Sequence, residues 1–360
     1  MRHGLIGILS AITGRSKKIL DAGCILFCFM MLFSMAGCGM GKDKIEATIK
    51  TGGNSYSVKN LDFCKISDKE SCRLISIDSA YNTIAVSVFI YSLPILADTS
   101  RELALLYDMD GTLRSQIDVR DAIGSDKVIV DQAIDTSGNL AVLARTQGED
   151  KVLHNYLYSF DSAGKLAGDP IELAFGESFL PTNFVIGTDG NLFFGKNAGI
   201  GMSVGHQIDV LDSKGNMLFV VSDSRIVGNL YQTGDMIYTD GNIGGTDSGN
   251  SAKLLPIDTK SQKLGDSIDI SKVTSSGGAV CAGSDGFYLI TVDGIYSVNL
   301  DSQDTKKLIL WKDTDTDLNE GTFNVFPSAV ISSDKIFLFS SKSSAADGSA
   351  AITVSLLMRK

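Results

Sequence analysis

The segment Ile134–Ala144, IDTSGNLAVLA, gives the clearest local indication of the fold. It places a tight Asp-x-x-Gly turn directly before an apolar run, a pattern typical of a β-hairpin that leads into a buried strand. Similar segments recur as DSAYNTIAVSV, IGTDGNLFFG, QTGDMIYTD, GSDGFYLIT and SSDKIFLFS, and their turns lie 44 to 56 residues apart, at Asn82, Gly138, Gly190, Gly234, Gly286 and Asp334. A repeat of this length indicates one supersecondary unit used six times.

A second family of turns alternates with the first. Tyr158–Leu166, YSFDSAGKL, is one example, and LLYDMDGTL, DVLDSKGNML, LPIDTKSQKL and SVNLDSQDTKKL are others. Two turns per unit divide each repeat into four short strands, which form an antiparallel meander and are typical of a β-propeller blade. Blades stacked around an axis cover one another's apolar faces, which a single meander cannot do. The sequence therefore predicts an all-β propeller of four-stranded antiparallel blades over residues 45–360.

Six blades are predicted, with starts near Ser71, Lys127, Leu180, Ser224, Ser276 and Thr322. The last unit lacks a fourth strand, and Ile45–Val58 contains two β-like runs that can supply it and close the ring. Two alternatives are a seventh blade assembled from residues 45–70 with the C-terminus, and a chain cut short after Lys360. The turns Asp-x-x-Gly-Asn-Leu and aromatic-Asp-x-x-Gly-Lys-Leu resemble those of NHL-type and YVTN-type propellers over nearly all of residues 69–360.

The N-terminus has the order of an export signal. Basic residues precede an apolar run, Ala22–Gly37, and Cys38 follows directly in Met35-Ala36-Gly37-Cys38. This tetrapeptide resembles the bacterial lipobox, which implies cleavage between Gly37 and Cys38 and a lipid on the Cys38 thiol. The apolar run is shorter than the roughly 20 residues of a membrane-spanning helix. We therefore expect a signal peptide at 1–37, a lipidated tether at 38–44 and attachment to the outer face of the cell membrane.

Charge and cysteine content narrow the range of partners. The signal carries four basic residues and one acidic residue, so its removal takes the formal net charge from −10 to about −13. Such an acidic chain repels nucleic acid and anionic headgroups, so the lipid is the expected membrane contact. Three cysteines remain beyond Cys38. Cys64 and Cys72 are candidates for a disulfide, although buried thiols fit equally well, and no Cys/His spacing indicates a metal site.

Leu105–Leu113, LLYDMDGTL, resembles the first motif of haloacid dehalogenase-type phosphatases, in which the first Asp is the nucleophile. The same position in later units carries Asp161 and Asp212 without a second Asp, which favours a repeated turn over a repeated nucleophile. An EF-hand loop starting at Asp108 would need Glu where Val119 stands. The sequence therefore assigns no catalytic residue, no metal and no cofactor.

Polar residues that precede second strands are the candidates for the mouth of a propeller channel: Asn183, Asn229 and Asn324. His154 and His206 are predicted to be exposed at strand edges, with a convergent pair in the channel as the alternative. The expected function is non-catalytic binding of an unknown protein or small molecule. Two alternatives stay open: the propeller part of a solute-binding lipoprotein of an importer, which some such lipoproteins resemble in layout, and a metal-dependent hydrolase or lactonase.

Overall fold

The computed structural model describes residues 47–64, 70–92, 100–149, 151–175, 179–196, 206–241, 253–271, 279–291, 293–313, 328–343 and 350–360. These residues form β-strands almost throughout, which confirms the predicted all-β class. Helical structure in this part of the chain consists of α1 (Val119–Ile123) and a 3₁₀ turn (Trp311–Asp313). Neither helix has the length and apolar character that crossing a membrane requires.

The strands are joined by hairpins along the chain. In order they are β1 (Ala47–Thr51), β2 (Asn54–Asn60), β3 (Glu70–Ala80), β4 (Thr83–Ser92), β5 (Arg101–Asp108), β6 (Leu113–Asp118), β7 (Val128–Ile134), β8 (Leu140–Gln147), β9 (Leu153–Phe160), β10 (Ile171–Leu173), β11 (Asn183–Ile186), β12 (Leu192–Gly195), β13 (Gln207–Leu211), β14 (Met217–Ser222), β15 (Ile226–Thr233), β16 (Met236–Gly241), β17 (Lys253–Asp258), β18 (Lys263–Leu264), β19 (Ile268–Asp269), β20 (Ala279–Gly283), β21 (Gly286–Ile290), β22 (Gly294–Val298), β23 (Thr305–Leu310), β24 (Ser328–Ser332), β25 (Lys335–Ser343) and β26 (Ala350–Arg359). All of the pairings between them are antiparallel.

Six sheets form the blades of a propeller. Blades 1 to 5 are β3–β6, β7–β10, β11–β14, β15–β18 with β19 beside β17, and β20–β23. Blade 6 has the order β24, β25, β26, β2, β1. The first strand of each blade contacts the first strands of both neighbours, from β3 round to β24 and back to β3. The ring therefore has six blades, and the seven-bladed alternative is wrong.

The ring is closed by the N-terminal strand that the sequence predicts. Strand β2 pairs with β26 from Tyr56↔Arg359 to Asn60↔Ser355, and so supplies the fourth strand that the last unit lacks. Strand β1 adds a fifth strand at the outer edge of blade 6. Beyond β2 the Leu61 N–H donates to the Val354 carbonyl at 2.8 Å, which leads the chain into blade 1.

The repeated Asp turns explain why the hairpins form where they do. The Asp161 carboxylate accepts the backbone N–H groups of Ala163 and Lys165, each at 2.9 Å, and Asp212 repeats the arrangement. Glycines of the equivalent turns have φ between +76° and +83°, which favours glycine over residues with a side chain: Gly111, Gly138, Gly164, Gly190 and Gly215. Asp108 lies at such a turn between β5 and β6 and forms a 3.2 Å ion pair with Arg114. The resemblance of this segment to a phosphatase motif therefore reflects a hairpin.

The apolar core lies between the blades. The buried side chains of the described chain form six clusters, and each cluster joins two neighbouring blades. In β4, Ile84, Val86 and Val88 pack towards blade 6, whereas Ala85 between them packs towards blade 2. Because successive side chains of a strand point to opposite faces, a blade covered on both sides needs an apolar residue at every position. This explains why the runs after each turn are mostly apolar; the buried Ser87 of β4 is an exception that donates to Gln132 of blade 2.

Side-chain brackets tie the inner strands of successive blades together. The Asp78 carboxylate on β3 accepts the Ile134 N–H of blade 2 at 3.2 Å, and Asp131 on β7 accepts the Phe184 N–H of blade 3 at 2.8 Å. Asn183 on β11 uses its amide oxygen in the same way, accepting the Leu230 N–H of blade 4 at 3.1 Å. These bonds satisfy backbone donors that face the neighbouring blade and have no strand partner there.

Cys64 and Cys72 are thiols in this structure, not a disulfide, so the proposed pairing is corrected here. Both lie in the apolar cluster between blades 6 and 1, where a thiol packs as a small hydrophobic side chain. The alternative of buried thiols is the arrangement that the structure has.

Tyr56 on β2 gives a direct test of the ring closure. Its ring is fully buried between blades 5 and 6, but its hydroxyl has no hydrogen-bond partner among the described residues. We expect Tyr56→Ala to lower the free energy of unfolding by about 3–5 kcal/mol, because it leaves a cavity at the closure. Tyr56→Phe should leave it unchanged or raise it by about 1 kcal/mol, because an unsatisfied buried hydroxyl is removed. Urea unfolding measures both, and a large loss in Tyr56→Phe would contradict the structure.

The Asp131 bracket predicts a pH dependence of stability. Burial raises the pKa of Asp131 to about 7, and the neighbouring Asp78 carboxylate adds to this. The folded state therefore binds a proton more tightly than the unfolded state, and this contribution to stability is lost as the pH rises towards 7. Asp131→Asn keeps an oxygen for the Phe184 N–H, as Asn183 does one blade later, and cannot ionise.

We expect Asp131→Asn to be close to the wild type in stability at pH 5 and more stable at pH 8, by on the order of 2 kcal/mol. Urea unfolding at both pH values measures this, with the exposed Asp169→Asn as the control for loss of one negative charge. An Asp131→Asn protein that is less stable by the same amount at both pH values would contradict the assignment.

Candidate functional site

The candidate site is the central channel, a cavity of about 580 Å³ on the propeller axis. All six first strands contribute to its wall, and β3 contributes the longest stretch, Leu74–Ala80. The lining from the other blades includes Ala133, Ile134, Val185, Ile186, Leu230, Tyr231, Gln232, Val280, Cys281, Ala282 and Val330. A cavity of this size is in the range that holds a small organic molecule.

The wall combines apolar side chains with a few polar groups of one kind of charge. Isoleucine, leucine, valine and alanine dominate, and Ser76, Ser79 and Gln232 add hydrogen-bonding groups. The ionisable acids among the lining residues are Asp78 and Asp235, and these lining residues include no lysine, arginine or histidine. Any charge that these lining side chains carry at neutral pH is therefore negative.

Asp78 is held rigidly in this wall. Its carboxylate accepts the Ser79 N–H at 2.8 Å and the Ile134 N–H at 3.2 Å. Burial raises the pKa of Asp78, and these two backbone donors offset only part of that rise. Asp131 lies close enough for the Asp78 charge to raise its pKa as well. The two carboxyls thus form an acidic pair where blades 1, 2 and 3 meet.

Tyr81 reaches across one mouth of the channel. Tyr81 and Asn82 connect β3 to β4 with φ of 46° and 61°, a left-handed turn of the kind that tight hairpins require. The Tyr81 hydroxyl donates to the Ile186 carbonyl of blade 3 at 3.0 Å and accepts from Gln232 of blade 4 at 3.2 Å. Both hydrogen-bonding roles of the hydroxyl are used, so the ring is fixed beside the opening.

Two of the three predicted channel-mouth residues lie within the described chain, where Asn183 binds the backbone of blade 4 and Asn229 binds an aspartate of its own blade. The Asn183 amide donates to the Gly228 carbonyl at 2.9 Å as well as bracketing blade 4. Asn229 contacts the buried Asp240 of its own blade through its N–H and its side-chain amide. Neither is among the residues that line the channel. Asn324, Gly37 and Cys38 lie outside the described residues.

The histidines lie away from the axis. His154 is on β9, the third strand of blade 2, and its Nδ1 lies 2.8 Å from Glu172 of β10. The sequence did not indicate this acidic partner, because strand pairing, not sequence spacing, brings them together. His206 contacts the Ile226 carbonyl at 3.1 Å between blades 3 and 4. The alternative of a histidine pair in the channel is wrong.

The channel wall includes one thiol group, that of Cys281, within the described residues. Burial raises the pKa of Cys281 to about 11, so this thiol stays protonated at neutral pH and is a weak nucleophile. Within the described ranges no three His, Cys, Asp or Glu side chains are grouped so as to hold a metal ion. What the arrangement supports is a rigid cavity with apolar contacts, hydrogen-bonding groups and negative charge.

Comparison with known proteins finds a similar fold among solved structures but assigns the chain to no family. No protein-family model matches the chain, and no curated protein matches it. Among solved structures, a protein of unknown function from Dyadobacter fermentans DSM 18053 is 9% identical, with a TM-score of 0.53 over 84% of this chain and 99% of that chain.

Two further structures are more distant. A gluconolactonase from Xanthomonas campestris is 12% identical, with a TM-score of 0.43 over 89% of this chain and 99% of that chain. BamB from Moraxella catarrhalis is 13% identical, with a TM-score of 0.36 over 84% of this chain and 97% of that chain. Neither similarity says anything about the function of this chain, since unrelated functions share such folds.

Proposed function

We propose that this protein is a lipid-anchored β-propeller on the outer face of the cell membrane, and that it binds a small ligand in its central channel without chemical turnover. The observation that carries the proposal is the channel itself: about 580 Å³, lined by six rigid strands, with apolar walls and a few fixed polar groups. Sites of this composition bind ligands by burying apolar surface, while the polar groups set orientation.

The bonding of the Asp78 and Asp131 carboxyls supports binding in preference to catalysis. The Asp78 and Asp131 carboxylates each accept backbone N–H bonds that join two blades. A carboxyl that acts as general base must lie within reach of the substrate and move its proton freely in each cycle. Side chains held in this way stabilise the ring, and moving them would break contacts between blades.

The N-terminal sequence supports the location. The basic segment, the apolar run Ala22–Gly37 and the Met35-Ala36-Gly37-Cys38 motif follow in the order of a lipoprotein signal. A diacylglycerol on Cys38 with a further acyl chain would supply the two lipid signals that stable anchoring needs. The strongly acidic remainder of the chain favours this form of attachment over direct contact with anionic headgroups.

Removing the Cys38 thiol tests the anchor. In a bacterial host fed with labelled palmitate, we expect Cys38→Ala to abolish labelling and to leave the chain at its unprocessed mass. The matched control is Cys28→Ala, which removes a thiol from the apolar run and should leave labelling intact. Electrophoresis with detection of the label gives the result. Equal labelling of the wild type and Cys38→Ala would contradict the assignment.

Filling the channel tests the binding site. Ala282 lines the cavity, whereas Ala167 is exposed on the outside of blade 2. In a thermal-shift screen of small organic solutes, ligands that bind the folded state raise the melting temperature. We expect the solutes that raise it to lose this effect in Ala282→Trp and to keep it in Ala167→Trp. Retained shifts in Ala282→Trp would place binding elsewhere, and a screen with no active solute would contradict small-molecule binding.

A further inference from the structure

The charge of the lining side chains, in addition to the volume of the cavity, limits which ligands the channel can bind. The residues that line the cavity carry acids but no base. An anionic ligand would lose its hydration there and meet only negative charge, at a cost that grows as water is excluded. The channel therefore excludes anions and leaves cations and neutral molecules.

Asp78 favours a cation over a neutral molecule as the ligand. No described lysine, arginine or histidine forms an ion pair with it, and its contacts are backbone N–H groups. A carboxylate accepts several hydrogen bonds, so two backbone donors leave capacity for a ligand on the channel side. Asp131, whose pKa burial raises to about 7, adds a second carboxyl group nearby. A buried carboxylate is stabilised strongly by a positive charge within a few ångströms, and the described residues supply no ion-pair partner here.

The mouth of the channel at Tyr81 also has acidic residues nearby. Burial raises the pKa of the Tyr81 hydroxyl, the Gln232 hydrogen bond lowers it in part, and the charges of Asp189, Asp235 and Asp78 raise it further. Asp189 and Asp235 are exposed at the hairpin turns of blades 3 and 4. Acidic residues at the mouth of a low-dielectric cleft attract cations from solution. The Tyr81 ring beside it offers a face that a cation contacts favourably.

The apolar walls determine which kind of cation fits. A divalent metal ion takes six or more oxygen ligands, but the side chains that line the cavity with Asp78 include Ile77, Ile134, Ile186 and Val280. These side chains contain no oxygen atom and so cannot bind a metal ion. An ammonium group on an apolar body matches both features, because its charge meets the carboxylate while its body fills the rest of the cavity.

We propose that the channel ligand is an organic cation, an amine or quaternary ammonium compound with an apolar body, whose charged group lies against Asp78 at the Tyr81 end. This inference rests on the proposed function, since it takes the channel as the binding site. It is independent of the lipid anchor.

Three probes that share one ring and differ in end group test the proposal. They are cyclohexylmethylamine, cyclohexylmethanol and cyclohexanecarboxylate, titrated calorimetrically at pH 7 into the processed protein in nonionic detergent, with empty micelles as the blank. We expect the amine to bind at least about tenfold more tightly than the alcohol, and the carboxylate to give no measurable heat. Raising the salt concentration should weaken amine binding more than alcohol binding.

Variants locate the charge recognition. Asp78→Asn keeps an oxygen for the Ile134 N–H and should reduce amine affinity to that of the alcohol, while alcohol affinity stays unchanged. Asp266→Asn, an exposed residue that does not line the channel, removes the same charge and should have no effect. Should Asp78→Asn fold poorly, Asp235→Asn at the exposed mouth should still weaken amine binding by about twofold to threefold.

The outcomes separate the two proposals. Equal affinity for amine and alcohol, or preference for the carboxylate, would overturn the cation inference while leaving channel binding intact. Amine binding that Asp78→Asn and Asp235→Asn do not weaken would also overturn it. If all three probes fail while other solutes still bind in an Ala282-dependent manner, the inference falls and the proposed function stands. If no solute binds at all, both fall.

Discussion

Face-to-face packing between blades is the constraint on which the rest of this structure depends. Each sheet is apolar on both sides, and its only cover is the blade before it and the blade after it, so no blade can be left at an open end. This is why the chain takes β2 from its N-terminal region into the last blade. The β2–β26 pairing gives blade 6 its fourth strand and covers the apolar surface between blades 5 and 6, where Tyr56 lies. A ring held in this way distributes its stability over six similar interfaces.

The same packing creates the acidic channel. First strands converge at the axis, where the neighbouring blade offers backbone N–H groups without strand partners, and short acceptor side chains satisfy them. Asp78 and Asp131 do this for blades 2 and 3, and Asn183 does it for blade 4. Asn would satisfy the same geometry at every bracket without a desolvated charge. Keeping two aspartates therefore costs stability near neutral pH, and a cationic ligand is a reason for retaining them.

The fold could be predicted from the sequence because its signals are local. Asp161 and Gly164 determine a hairpin by contacts within five residues, and repetition of that turn indicates the blade. First strands begin at Glu70, Val128, Asn183, Ile226, Ala279 and Ser328, within six residues of the predicted starts. The site could not be predicted in this way. Whether Asn183 faces the axis or the next blade depends on the register of its strand, and the partners of Tyr81 lie over 100 residues away.

The difference between fold and site follows from where each residue is packed. In β4 almost every side chain is buried against a neighbouring blade, so a polar substitution there would cost stability directly. In β3 the segment Leu74–Ala80 faces the channel and is only partly buried, with Ile75 44% exposed. Channel-facing residues that do not join two blades, as Asp78 does, can therefore change with less effect on the ring than residues of the turns and middle strands. The protein of unknown function from Dyadobacter fermentans shares the fold with a TM-score of 0.53 at only 9% sequence identity. Ligand chemistry in this fold has to be inferred from the first strands, and here they carry negative charge within an apolar wall.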